Sequence, residues 1–377
     1  MYVKELSLRN FRSYEQVSVA FPSGVTALVG SNGQGKTNLI EAINYVATLG
    51  SHRVASDAPL IRRGSDEATI RVVAAHDDRE IELEIDLVAG KANRARFNSS
   101  PMKRPRDLLG YLNVVVFAPE DLALVKGDPS DRRHFLDQTL IALAPRLAAT
   151  RSDLDRVLKQ RNALLKTAQH AARRSTADVM RTLDAWDTQF AQLSAQIVIE
   201  RLNVVDALLP YAQSLYAQVS DDRGPFEMRY ECSLHDAPAD RSESTWEARY
   251  LEALAERRND EIERGITLVG PHRDELGIDV RNLPVKGYAS HGESWSAALT
   301  LRLASFELLR HDRPGGDPVL ILDDVFAELD SRRRRRLVEL TQTAEQTLVT
   351  AAVAEDVPTE LDGARFEVSA GEVHRVG

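Results

Sequence analysis

The first hundred or so residues alternate apolar and polar positions in short runs. Those at Tyr2 to Asn10, Val17 to Phe21, Val25 to Val29, Ala68 to Ala75, Glu80 to Leu87 and Asn93 to Phe97 predict half-buried strands. One helix interrupts them, beginning near Lys36 and carrying Leu39, Ile40, Ile43 and Val46 on one face. From about Asp128 to Arg264 the apolar positions recur in threes and fours instead. Leu154, Val157, Leu158, Leu164, Leu165 and Ala168 make one stripe, and Leu183, Trp186, Phe190, Leu193, Ile197, Val204 and Leu208 another. The polar break Arg173 to Thr176 between them predicts a helical hairpin packed on itself. Strand-like sequence returns at Gly265 to Val280. A helix follows from about Glu293 to Leu309, then an apolar strand at Val319 to Leu322, a helix from Ser331, a last core strand within Gln346 to Val353, and a strand pair around Phe366 and Val373. The expected fold class is α/β, with residues 1–125 and 265–377 forming one mixed part and 126–264 a mainly helical lobe.

Composition narrows the function. With 377 residues, 43% of them hydrophobic, the chain is long enough for proper cores. No stretch approaches the run of about 18 apolar residues that spans a bilayer, and the opening MYVKELSLRNFRSY lacks the apolar centre of a signal peptide, so a cytoplasmic protein is expected. The single cysteine, Cys232, excludes an internal disulfide framework and a Cys-rich zinc site. Any metal must arrive with another ligand.

The clearest chemistry is Gly30-Ser31-Asn32-Gly33-Gln34-Gly35-Lys36-Thr37, which fits G-x-x-x-x-G-K-[ST] between an apolar strand and an amphipathic helix. Small residues let successive N–H groups turn inward around phosphate oxygens, and the helix N-terminus adds its partial positive charge. Lys36 is expected to reach the outer phosphates of ATP, and the Thr37 hydroxyl to help hold Mg²⁺. The partner carboxylate comes from Val319-Leu320-Ile321-Leu322-Asp323-Asp324, a buried strand ending in two acids. Asp323 is the expected metal ligand, and Asp324 the group that orients or deprotonates the attacking water. Lys36 and Asp323 stand 287 positions apart, so the helical lobe is the insertion that separates the two halves of one site. Ser290-His291-Gly292-Glu293 matches S-x-G-[EQ] at another helix start, where Ser290 reads either as a plain N-cap or as part of a second anion-binding end.

These motifs, together with Leu8 to Tyr14 (LRNFRSY), Pro129 to Asp137 (PSDRRHFLD), Gly270 to Asp274 (GPHRD) and Asp323 to Asp330 (DDVFAELD), resemble the bacterial RecF family over nearly the whole chain. The resemblance implies an ABC-type P-loop ATPase head of the SMC-related branch, split by the helical lobe. It implies ATP and Mg²⁺ bound by Gly30 to Thr37, with Asn38 beside them, and a catalytic role for Lys36 and Asp324. Ser290, Gly292 and Glu293 would meet the nucleotide held by a second copy, with Asp330 near the dimer seam. It further implies binding to double-stranded DNA and to single/double-strand junctions, and work with RecO and RecR to place RecA on single strands coated by SSB, in the cytoplasm near the nucleoid. Three departures from the wider ABC pattern bear on turnover. His291 stands where many relatives have glycine, the second acid is an aspartate, and no histidine follows the last core strand. Nor is the glutamine that often couples the core to the helical lobe identifiable. An SMC-like scaffold and a transporter ATPase are the alternatives, with the long insertion weighing against the second.

Charge leaves the DNA surface open. The chain has 57 acids against 48 bases, a formal −9, which read alone argues against nucleic acid. Residues 151–181 are nevertheless net +5, and 221–263 net −7. Arg156, Lys159, Arg161, Arg173 and Arg174 in the hairpin, and Arg333 and Arg334 in the run after Asp330, are the candidates for phosphate contact, with an ordinary charged face as the alternative in both places. Arg12, Arg132 and Arg133 are further candidates, with internal salt bridges as their alternative. Arg335 is placed to pair with Glu339.

Overall fold

A computed structural model describes residues 1–76, 79–170, 176–220, 224–312 and 316–376. The chain divides into two compact units, one made of residues 1–126, 210–225 and 287–377, the other of 127–209 and 226–286. The strands in chain order are β1 Tyr2–Phe11, β2 Tyr14–Ala20, β3 Gly24–Val29, β4 Glu67–His76, β5 Arg79–Val88, β6 Arg94–Phe97, β7 Ser100–Pro101, β8 Val114–Phe117, β9 Phe226–Glu231, β10 Glu275–Val280, β11 Leu283–Pro284, β12 Val319–Asp323, β13 Gln346–Ala351, β14 Ala364–Ser369 and β15 Glu372–Arg375. The helices are α1 Lys36–Thr48, α2 Ala123–Lys126, α3 Pro129–Leu143, α4 Leu147–His170, α5 Thr176–Val219, α6 Glu243–Arg264, α7 Val285–Tyr288, α8 His291–Asp312 and α9 Ser331–Thr341.

In the first unit an antiparallel sheet runs β2-β1-β4-β5-β6-β7, and a mainly parallel one β15-β14-β3-β13-β12-β8. Helix α1 packs against strands of both sheets, and every residue from Leu39 to Val46 is buried, Glu41 and Asn44 included. The expected single apolar face is therefore an understatement, because the helix is wrapped on all sides. Ile40, Ile43 and Val46 join Leu6, Leu8, Ile70, Val72, Leu83 and Ile85 of one sheet and Val319, Ile321 and Leu348 of the other in one core. Strand β8 escaped the sequence reading, since Val114–Phe117 is too short to show alternation, yet it pairs in parallel with β12.

The second unit holds α3, α4, most of α5, α6 and a small antiparallel sheet β11-β10-β9. The expected division at 264/265 is corrected here. Residues 265–286 belong with the helices, because β10 pairs with β9 over Glu275↔Glu231 to Val280↔Phe226. The stretch 265–274 that read as strand forms turns instead. The two predicted stripes are the buried faces of α4 and α5, with Leu154, Val157, Leu165, Leu183, Phe190 and Ile197 in the core.

Candidate nucleotide site

The phosphate loop leaves β3 between two parallel neighbours, β13 and β14, and enters α1. Two of its glycines are required by close approach. A Cβ on Gly30 would fall 2.1 Å from the Val368 carbonyl oxygen, and one on Gly35, whose φ is +112°, would lie 2.6 Å from the Tyr14 hydroxyl. Lys36 is buried, and its ammonium donates to the carbonyls of Gly30 at 2.5 Å and Ser31 at 3.3 Å. Burial lowers its pKa, a shift opposed by the Asp324 and then the Asp323 carboxylate. Ser31, Asn32 and Gly33 are exposed at the loop tip, and the Gln34 side chain accepts from the Ala370 amide at 2.7 Å.

Across the sheet, β12 delivers Asp323 to this loop. The Thr37 hydroxyl donates to Asp323 Oδ1 at 3.2 Å, as does the Thr350 hydroxyl from the end of β13 at 2.5 Å. Burial raises the Asp323 pKa, and the two hydroxyl bonds work against that rise. Asp324 is half-buried, with a left-handed φ of +57° held by its amide donating to Thr350 Oγ1 at 3.0 Å. Such a conformation costs a non-glycine residue about 1–2 kcal/mol, and Thr350 offsets part of it while fixing the second acid at the strand end.

A second layer braces the helix. Arg12 donates to Glu41 at 2.9 and 2.6 Å, and Ser51 to the same carboxylate at 2.5 Å. Burial alone would lift the Glu41 pKa, but the Arg12 guanidinium and the Ser51 hydroxyl hold it below the ordinary range. Asn38 bonds Ser13 at 2.9 Å and accepts from Arg53 at 3.2 Å, so its side chain braces the loop entrance. His52 has both ring nitrogens buried without a partner among the described residues and feels Asp323 and Glu41. Burial holds it neutral by lowering its pKa. Thr350 and His52 carry no motif spacing, and only the tertiary fold brings them here.

The signature residues sit at the start of α8. Ser290 and Glu293 form a capping box, the Glu293 amide donating to Ser290 Oγ at 3.3 Å and the Ser290 amide to Glu293 Oε2 at 2.7 Å. The N-cap reading of Ser290 is thus realised. Asp330 caps α9 by accepting the Arg333 amide at 2.9 Å and pairs with the Arg333 guanidinium. That guanidinium also bonds Ser296 at 2.9 Å and lies 3.0 Å from where a Gly292 Cβ would be. Gly292 thus leaves close room for the Arg333 guanidinium beside the start of α8.

The DNA candidates fare differently. Arg161 is 0% exposed, with Asp187 at 2.7 Å, Thr267 at 2.8 Å and Glu261 at 2.6 Å around its guanidinium, so it is removed as a phosphate contact. Arg156 is exposed and pairs with Asp153 at 3.2 Å, while Lys159 is exposed. Arg173 and Arg174 lie outside the described residues. Arg333 is engaged as above, and Arg334 donates to the Phe326 carbonyl at 2.7 Å. The Glu339 partner is Arg336 at 2.5 Å rather than Arg335, because the pair forms at i,i+3. Arg132 pairs with Glu275 at 2.6 Å, and Arg133 bonds the Asp274 carbonyl at 2.8 Å. Arg201, buried, bridges Asp137 at 2.8 Å and the Pro271 carbonyl at 2.8 Å, so the PSDRRHFLD and GPHRD segments brace one another within the second unit.

A phosphate loop facing a strand-end carboxylate, with a serine-capped signature helix on the same unit, defines an ABC-type ATPase head. The RecF/RecN/SMC N-terminal domain family model matches residues 2–362. The chain belongs to the RecF family. It is 55% identical over its whole length, and the whole of the relative's, to the DNA replication and repair protein RecF of Streptomyces avermitilis, and 52% identical on the same full coverage to that of Beutenbergia cavernae. A solved structure of the recombination mediator RecF with ATP, of the RecFOR pathway, superposes with a TM-score of 0.90 at 26% identity, covering 100% of this chain and 98% of that one. A Pyrococcus furiosus Smc head aligns with a TM-score of 0.55 at 17% identity over 100% of this chain and 96% of that one, a likeness of fold. Among the described residues no helix is long and apolar enough to cross a membrane.

Proposed function

We propose that this chain binds and slowly hydrolyses ATP, closes into a homodimer around it, and in that state clamps double-stranded or gapped DNA during recombinational repair, working with RecO and RecR to place RecA on SSB-coated single strands. The observation that carries the reading is the 3.2 Å bond between Thr37 and Asp323, which completes a phosphate site from residues 286 positions apart. The Lys36 ammonium is held by neutral carbonyls, so phosphate oxygens compete well for it. A hydroxyl and a carboxylate are hard oxygen donors that suit Mg²⁺ shared with phosphates, and the ion would neutralise charge on the transferring group. Asp324 orients or deprotonates the attacking water. Ser290, Gly292 and Glu293 present the start of α8 to the partner's nucleotide, and Asp330 fixes α9 beside it through Arg333. The test is DNA affinity with ATP, with ADP and without nucleotide, for the native chain and for Lys36→Ala and Ser290→Ala. ATP-dependent binding lost in both variants is expected, and equal binding in every condition defeats the gating.

A further inference from the structure

Most cations on the antiparallel sheet of the first unit are neutralised. Arg9 pairs with Glu67, Arg71 with Glu82 and Glu5, Arg94 with Glu67 and Asp86, and Arg96 with Glu84 and Asp86. The segment that follows β7 at the edge of that sheet is built differently. Lys103, Arg104 and Arg106 fall within four residues, and none has a carboxylate partner among the described residues. The acid that follows them, Asp107, accepts from the Arg104 backbone amide at 3.2 Å.

This strap is rigid. Pro101 and Pro105 restrict its backbone. The Met102 amide donates to the Ala95 carbonyl at 2.8 Å, and Leu108 and Leu112 are buried in the core. Tyr111, beyond the strap, packs its ring on Phe97 at the end of β6, with centroids 4.4 Å apart. Tyr111 is 40% exposed and Phe97 half-buried beneath it. A held backbone loses little freedom when its cations meet a polyanion, and a backed, exposed aromatic is a stacking surface for an unpaired base. Of the described hairpin candidates, Arg161 is spent internally and Arg156 pairs with Asp153.

We infer that the Lys103–Arg106 strap with Tyr111 is a contact for single-stranded DNA, the cations taking the backbone phosphates and Tyr111 one unstacked base. The inference rests on the DNA-binding reading above and assigns the unpaired strand of a gapped or junction substrate to the sheet edge. It is tested in the full-length ATP-bound protein by titrating an oligothymidylate, a blunt duplex and a duplex with a single-stranded overhang over a range of salt. Lys103→Ser/Arg104→Ser/Arg106→Ser is expected to lower the log–log salt slope for the oligothymidylate by about 2, at roughly 0.7 per phosphate. Tyr111→Ala is expected to weaken the oligothymidylate and overhang about tenfold, leaving the blunt duplex unchanged. Thermal melting and ATP affinity of both variants serve as controls for folding. If the native chain binds no DNA, the functional reading fails. If it binds single strands and both variants match it, or if the variants weaken only the blunt duplex, this surface assignment is overturned while the functional reading stands.

Discussion

Two buried cations show how the same chemistry serves opposite ends. Arg161, in the second unit, is ringed by Asp187, Glu261 and Thr267, and Arg258 adds a further bond to Asp187 at 2.5 Å. The charge of Arg161 is met by two carboxylates, and each of its three nitrogens donates a bond. Among the described residues, Lys36 is bonded only to backbone carbonyls, and the facing Asp323 only to hydroxyls and not to a cation. Here charge is gathered but not cancelled, which is what a site for a charged ligand requires. A cation neutralised by carboxylates is part of the architecture, whereas one held by neutral dipoles is available for binding.

The largest expected effect tests the first half of that contrast. Arg161→Ala strands Glu261 as an uncompensated buried carboxylate and leaves Asp187 with Arg258 alone, and should cost about 3–5 kcal/mol in urea unfolding, with ATP affinity unchanged in protein that remains folded. A loss of ATP binding without a loss of stability would reverse the assignment. Asp324→Asn should slow hydrolysis about 100-fold or more while the ATP-bound dimer persists in sedimentation, as expected for a residue acting on the water. Turnover at the native rate would remove Asp324 from that role. Lys36→Ala should weaken ATP by about 1.5–3 kcal/mol, roughly 10- to 150-fold, with little change in melting temperature. A smaller effect concerns pH. Burial would raise the Asp137 carboxyl, but Arg201 and Arg151 hold it below its ordinary value. Its stabilisation is therefore complete above the unfolded pKa near 3.8 and is lost as pH falls through the lower folded value. Asp137→Asn should flatten that acid limb of the stability curve, and an unchanged limb would place the titration elsewhere. Smallest is Ser290→Ala, expected to cost about 1 kcal/mol of stability through its cap.

Much of this contrast was legible in the sequence, though unevenly. The phosphate loop and the strand ending in Asp323 are local patterns, and their pairing follows from chemistry that needs both. Helix α1 and the α4–α5 stripes were also apparent, because burial imposes a period on the chain. The fate of the arginines was not. Arg156 and Arg161 stand five residues apart in one basic segment, yet one is exposed and the other is sealed by partners 26 and 100 residues further on. Net charge over a window carries no record of such distant neutralisation. Thr350 and His52 were hidden for a related reason, since a single threonine or histidine gains meaning only from the strands folded around it. Strand β8 was missed because four valine and phenylalanine residues in succession have no alternation to display.

The order of the parallel sheet has a consequence for biosynthesis. Strand β3, which launches the phosphate loop, lies between β13 and β14, and the buried Gln346 side chain is bonded to Val3 and Pro22 near the other end of the chain. A nascent chain emerging from the ribosome therefore carries its phosphate loop for some three hundred residues before the flanking strands exist. Through that interval the apolar edges of β3 have no native partners, and the exposed strand is open to mispairing. The second unit, whose contacts close within residues 127–286, has no such wait. Competence to hold nucleotide is thus acquired only after β13 and β14 have been made, later than the second unit can close.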